Sequence, residues 1–418
     1  MKRAMKLKRL KIKIADFDDI LAFVFLYMYI TPAYFLYKDP FATLYPIIRY
    51  GRCLLSIYFF SVCLYRRKYK VDHLYLIIFL FCFVFLLSSL LGDLNLAAWI
   101  NNTFQLIGCF AFAEYYRKRF NSYIKIGFWF FFLVLVINNI LMALHPLYLF
   151  IEKNELGDQW YYFAASKNQF SMFCFPLLIF SYLAYEKKLI GKSILLISIV
   201  QAAIPPILAI SVTSIVSVFL FECIMIVKEK DIMRSKKLWI IILIAVCATQ
   251  LLFTYLFRTD LIQHIVIDYL HKDATLSGRA MIWDSAHKLI AKHPIFGMGN
   301  GENGSYYYCI VGDYEHGSIM WAHNTSLDLL TQGGILLLTL FYGIVVASIG
   351  KLFRTSKYIK KDNMIFVSMF LIYCIMGYTE RFGFRMDLYL ILGAAFSYAK
   401  VENVYDHRYH IRSIEIIR

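Results

Sequence analysis

Two residues carry the side chains best suited to chemistry in this sequence. Arg279 opens a run in which Ile282, Ala286, Leu289 and Ile290 recur at the spacing of one helix face. A guanidinium at a first helical turn sits where free backbone N–H groups and the helix dipole already favour an anion. His323 and Asn324 stand directly before a long apolar stretch containing Gly333-Gly334. An imidazole there is either a general base or an interfacial group that hydrogen-bonds locally. For Arg279 the structural alternative is a helix-cap ion pair, with Asp273 or Asp284 as partner. Other chemistries lack their signatures: no Gly-Lys-Ser/Thr ends the glycine-rich stretch 294–304 as a nucleotide loop would, and there is no His-Glu-x-x-His or cysteine pair with metal spacing and no Gly-x-Ser-x-Gly elbow. The glycines of Pro294-Ile295-Phe296-Gly297-Met298-Gly299-Asn300-Gly301 therefore read as tight turns and close backbone approach. No metal and no soluble cofactor is expected.

The elements that must position these residues are apolar. Of the 418 residues 60% are hydrophobic and 17% charged, against roughly 45–50% and 25% in soluble domains. About twelve runs are long enough for a bilayer core of about 30 Å, near 17–37, 44–65, 72–92, 96–116, 123–144, 168–185, 189–208, 210–227, 238–257, 325–350, 364–379 and 387–400. The fold class is all-α: a polytopic membrane bundle of about 12 transmembrane helices forming a single integral domain over 1–418. The basic stretch 2–13 before the first run resembles a signal peptide without a small-residue cleavage site, so it reads as a retained first helix.

The net charge of +16 does not point to nucleic acid, because the basic residues fall in short clusters between apolar runs. With both termini cytoplasmic, most Lys and Arg lie on the inner side, including Arg66, Arg67, Lys68, Lys70, Arg117, Lys118, Arg119, Lys228, Lys230, Arg234, Lys236, Lys237, Lys351, Arg354, Lys357, Lys360 and Lys361. Eight of the nine cysteines sit in or beside apolar runs and Cys309 stands alone outside them, so no disulfide framework is expected. Asn138, Asn139 and Gln105, inside runs, read as groups that join helices.

Two outer segments exceed the length of turns, 145–167 and 258–324. The second lies between the ninth and tenth runs, and a connection of that length in a bundle is usually functional. Its helix over about 277–293 is capped by Ser277 and closed by Pro294 and Gly297. This amphipathic helix either lies along the outer membrane surface or packs over the bundle.

Ser277-Gly278-Arg279, Trp283, the 294–299 turn, and His323-Asn324 followed by Leu327 and Gly333-Gly334 together resemble the bacterial O-antigen ligase and O-antigen polymerase superfamily. The resemblance is strongest over about 277–345. It implies a metal-independent membrane glycosyltransferase on the outer face of the bacterial plasma membrane. The donor would be a glycan on undecaprenyl diphosphate. A polymerase moves the growing chain onto the next lipid-linked repeat unit, whereas a ligase moves the finished chain onto lipid A-core or another acceptor.

Carried over residue by residue, the family's essential arginine and histidine are Arg279, holding a diphosphate oxygen, and His323, taking the proton of the attacking hydroxyl. Further contacts to diphosphate or glycan are expected from Arg381, Arg385, Lys167, Asn168, Asn324, Trp283 and Trp321. Family members often carry a Ser-Arg pair near 210, whereas this chain has Ser211-Val212-Thr213-Ser214. Arg381, Arg385 or Lys167 would have to substitute for it. The resemblance further implies the bilayer, a lipid-linked acceptor, a flippase and a chain-length regulator as partners. A flippase or other transporter is the rival class, opposed by the scarcity of mid-span charge, the lack of an obvious internal repeat and the single dominant outer loop.

Overall fold

The computed structural model describes residues 17–92, 95–154, 157–256, 279–300, 322–353 and 358–400. Each of the twelve apolar runs carries a helix. In chain order these are α1 Phe17–Tyr29, followed by a short α2 Ala33–Tyr37, then α3 Tyr45–Arg66, α4 His73–Leu91, α5 Leu96–Tyr115 and α6 Phe120–Leu144. They continue as α7 Ser171–Glu186, α8 Lys192–Leu208, α9 Val212–Val227 and α10 Lys236–Leu256. The amphipathic α11 is Arg279–Lys292, α12 is Thr325–Ile349, α13 is Lys361–Met376 and α14 covers 386–400.

Among the described residues, six stretches are long and apolar enough to cross a membrane: Phe41–Arg66, His73–Leu91, Leu96–Tyr115, Arg117–Leu144, Lys236–Tyr255 and Thr325–Phe353. Lys192–Leu208 and Val212–Val227 are apolar but shorter. An all-α membrane bundle stands, while the count of twelve crossings rests on sequence length alone.

The segment 145–167 carries local structure other than helix. It folds as an antiparallel hairpin, β1 Phe150–Asn154 with β2 Gly157–Tyr161, pairing Phe150 with Tyr161. Phe150 and Tyr161 stack face to face at 5.3 Å and bury themselves with Ala33 of α2. Aromatic rings on one strand face supply the apolar side that two short strands need.

Polar caps explain several helix starts. Asp72 accepts from Leu74 N at 3.2 Å, Asn95 from Ala98 N at 2.8 Å and Asn324 from Leu327 N at 3.0 Å, each serving a backbone donor that the helix leaves unpaired. Inside the bundle Asn139 of α6 donates to Gln201 O of α8 at 3.0 Å, and Asn138 accepts from Ala164 N at 3.0 Å, so both asparagines join elements as expected. Helix α5 packs on α3 and α4, α4 on α12, and α13 on α7, α9 and α10.

The two ends of the bundle differ in charge. At one end buried Glu114 meets Arg67 at 2.7 Å, Arg117 at 3.4 Å and Lys400 at 3.7 Å, while Asp72 meets Lys400 at 2.7 Å. Lys187 pairs with Asp362 at 2.7 Å, Arg119 with Asp18 at 2.7 Å, and Lys228 with Glu186. These ion pairs gather residues from the short loops and helix ends around 67–72, 114–119, 186–187, 228, 362 and 400. The opposite end holds the hairpin, α11 and the starts of α12 and α14.

Helix α12 is broken at Gly333-Gly334, and the break is filled by the turn that follows α11. Gly334 has φ +62°, leaving carbonyls without their helical donors. Met298 N donates to Thr331 O at 2.8 Å, Gly299 N to Gln332 O at 2.8 Å, and Ile335 N to Pro294 O at 2.9 Å. A Cβ on Gly334 would collide with the Ile295 carbonyl, and one on Gly297 with the 331–333 backbone. Close backbone approach is thus what these glycines permit.

Candidate active site

Helix α11 packs over the bundle. Ile282 and Leu289 are buried with Met298 against them, and Trp283 and Ala286 form a second small core with Ala322 and Leu327. The Trp283 indole N–H donates to Ala322 O at 2.8 Å, fixing the backbone next to His323. His323 itself has φ +46°, a left-handed conformation that costs a non-glycine residue energy and is held by what flanks it. On its other side Asn324 is wholly buried: its amide caps α12 and donates to Gln250 O at 3.1 Å and Tyr378 O at 3.3 Å.

The start of α12 is tied to the turn between α13 and α14. Thr325 N donates to Gly377 O at 2.8 Å, Thr325 Oγ1 donates to Glu380 O at 2.9 Å, and Phe382 N donates back to Thr325 Oγ1 at 3.0 Å. These bonds carry Glu380 to His323. Its Oε2 lies 3.9 Å from His323 Nδ1, and its Oε1 accepts from Arg279 Nη2 at 3.2 Å. Arg279 Nη1 donates to Thr379 O at 2.6 Å. Arginine and histidine, far apart in the chain, therefore meet across one carboxylate.

Burial tends to raise the Glu380 carboxyl. The contact with His323 and the charges of Arg279, His323 and Arg385 outweigh it and hold the group below its ordinary value. Glu380 is thus an anion, and it faces Nδ1 of the imidazole, leaving Nε2 as the nitrogen that can meet a substrate hydroxyl. The side chains of Arg279 and His323 are 19% and 33% exposed, enough to be reached from outside the bundle. Buried Asp328, one turn into α12, accepts from Gln332 Nε2 at 2.8 Å and feels the charges of Arg381 and His323.

Arg385 has its own partners. It forms a two-point contact with Asp387, Nε to Oδ1 at 2.9 Å and Nη2 to Oδ2 at 2.8 Å, and Nη2 also donates to Ser171 Oγ at 3.0 Å. That contact links α7 to the 379–387 turn. Arg381 is half-buried in the same turn, while Lys167 and Asn168 are exposed just before α7.

Two expected substrate contacts are buried in the structure. Trp283 is 1% exposed and offers no ring face to a glycan, because packing on Ala286 and Leu327 consumes it. Asn324 spends its amide on α12, Gln250 and Tyr378. Both position His323 instead. Among the described residues the carboxylate partner of Arg279 is Glu380 rather than Asp284.

Trp321, Ser277, Gly278, Asp273 and Cys309 lie outside the described residues. The eight described cysteines are free. His287 Nε2 contacts Thr254 Oγ1 at 2.9 Å. No group of three His, Cys, Asp or Glu among the described residues is arranged to hold a metal ion.

Glu380 escaped the sequence reading. A lone glutamate in a short turn has no pattern of its own, and its neighbours Arg381 and Arg385 were the only signal pointing there.

A cation and an imidazole thus share a carboxylate at the less basic end of a helical membrane bundle. Residues 162–342 match the family model described as O-antigen ligase. The match supports the O-antigen ligase and polymerase superfamily, whose members are membrane glycosyltransferase-like enzymes. It spans Arg279 and His323 and ends before Glu380. No curated protein matches the chain.

Proposed function

We propose that the protein polymerises oligosaccharide repeat units carried on undecaprenyl diphosphate, for a capsule, exopolysaccharide or O-antigen, at the outer face of the bacterial plasma membrane. The observation carrying this reading is the Glu380 carboxylate shared by Arg279 and His323. The acceptor hydroxyl attacks the anomeric carbon of the donor glycan and gives its proton to His323 Nε2. The bond from that carbon to the diphosphate oxygen breaks, its electron pair staying on the departing lipid diphosphate, whose charge Arg279 stabilises. Phosphate leaves without needing a general acid, and solvent then removes the proton from the imidazole.

Glu380 orients the imidazole and stabilises it once charged, as a carboxylate does beside a catalytic histidine elsewhere. Arg381, Arg385, Lys167 and Asn168, around the same end, would contact the diphosphate or the glycan. Arg385 would do so only by sharing its contact with Asp387. The outer location follows from placing the basic end in the cytosol. A lipid-linked acceptor, a flippase and a chain-length regulator are the partners this role requires.

One alternative, in keeping with the matched family's description as O-antigen ligase, is a ligase that moves finished glycan to lipid A-core. Donor and leaving group are the same and only the acceptor differs. Incubating purified protein with a defined undecaprenyl diphosphate repeat unit separates the two. A ladder of products is expected; transfer to added lipid A-core with no ladder would establish the ligase.

A further inference from the structure

Arg52 is a buried charge that the site above does not use. It lies on α3, seven residues or about 10 Å past the helix start, inside the candidate span Phe41–Arg66. Only 4% of it is exposed. No carboxylate is within ion-pair distance among the described residues, and the ionisable groups weighing on it are Tyr45, Tyr29, Tyr37 and Cys53.

One of its five N–H groups has a structural use. Pro32 lacks the N–H that would bond Met28 O in a continuing helix, and Arg52 Nε donates to that carbonyl instead. Nη1 and Nη2 have no acceptor among the described residues, yet neither is sealed from the surface. An uncompensated guanidinium within a span is costly unless an anion joins it.

Arg49, three residues earlier and therefore on the same helix face, is half-buried, and its charge and that of Arg52 both reach Cys53. The remaining face of α3 exposes Ile47, Tyr50 and Leu54, an apolar surface suited to lipid. The start of α3 is at the same end of the bundle as α11, away from the basic clusters.

We propose that Arg52 and Arg49 bind the phosphate of a membrane lipid. The guanidinium fork matches phosphate oxygens, and Ile47, Tyr50 and Leu54 on the opposite side of α3 set the helix against lipid, the source of those oxygens. Resting on the polymerase reading, the occupant that gives this site a task is the accepting lipid-linked glycan, since the reaction joins two lipid diphosphates and Arg279 holds one. A phospholipid headgroup offers the same chemistry.

The test uses the full chain in phosphatidylcholine nanodiscs, with a short polyprenyl diphosphate as probe and native mass spectrometry to count bound molecules. Wild type is expected to bind two, Arg52→Gln one, and Arg279→Gln one. Arg49→Gln, at a half-exposed position that tolerates change, is expected to weaken the same site several-fold. Two undiminished sites in both Arg52→Gln and Arg49→Gln, or in Arg49→Gln alone if Arg52→Gln does not fold, would overturn the proposal. Two sites in Arg279→Gln would instead overturn the donor assignment and leave this one standing. Phosphatidylglycerol displacing the probe at the Arg52 site would name a phospholipid as occupant; resistance to it would name the diphosphate carrier. Both support a lipid phosphate.

Discussion

Glu380 divides its two carboxylate oxygens between Arg279, at 3.2 Å, and His323, at 3.9 Å, and so couples a helix after the ninth apolar run to the start of α12. Glu380→Gln keeps the shape and removes the charge. A fall in kcat of about 10- to 100-fold is expected, with KM little changed, because orienting a general base contributes part of its roughly 10²–10⁴-fold effect. An unchanged kcat would count against the contact.

The pH range of Glu380 itself follows from its lowered carboxyl. A depressed carboxylate contributes stability that is complete above its unfolded value, about 4.3, and is lost only as pH falls through the folded value below that. Thermal stability of wild type relative to Glu380→Gln should therefore be constant from pH 5 to 8 and shrink below about 4.3. A gap that opened or closed between pH 6 and 8 would assign the titration to another group.

Gly334→Ala should be severely destabilising. The left-handed φ alone costs about 1–3 kcal/mol, and the added methyl meets the Ile295 carbonyl. At Gly191 nothing lies within 4 Å of an added Cβ, so Gly191→Ala should leave the melting temperature nearly unchanged. Equal melting temperatures for the two variants would refute the stapled break in α12.

Trp283→Phe preserves the packing on Ala286 and Leu327 but deletes the N–H on Ala322 O. The lost bond is worth about 1 kcal/mol. It should lower kcat several-fold by loosening the strained backbone at His323, with donor affinity retained. A raised KM at unchanged kcat would mean that Trp283 contacts the glycan after all.

Asn324→Ala removes a helix cap and two bonds to buried carbonyls, a loss of about 1–3 kcal/mol. A lowered melting temperature should accompany the loss of activity, in contrast to variants at Arg279, which should lose activity at nearly unchanged stability.

The bundle was largely legible because length and polarity define apolar helices without reference to neighbours. Helix α11 was legible too, since Ile282, Ala286 and Leu289 repeat at helical spacing, and Arg279 and His323 were legible through ordered motifs. The meeting of those two was not, because it depends on Thr325 bridging Gly377 and Glu380, a tertiary tie with no local pattern. The break at Gly333-Gly334 was visible only as two glycines, since the carbonyls it frees are answered by Met298 and Gly299 from another segment. Arg52 was absorbed into an apolar run, because two arginines, Arg49 and Arg52, still leave the average hydropathy of that span high. The β-hairpin was missed for a related reason, its strands being too short to show alternation.

The most direct measurement is the rate at which lipid diphosphate is released from a defined undecaprenyl diphosphate repeat unit by Arg279→Ala and His323→Ala, each checked for wild-type melting temperature. A drop of about 10²–10⁴-fold is expected in each. A folded variant of either residue that releases lipid diphosphate within about threefold of the wild-type rate would contradict the assignment of this pair to the glycosyl–diphosphate bond.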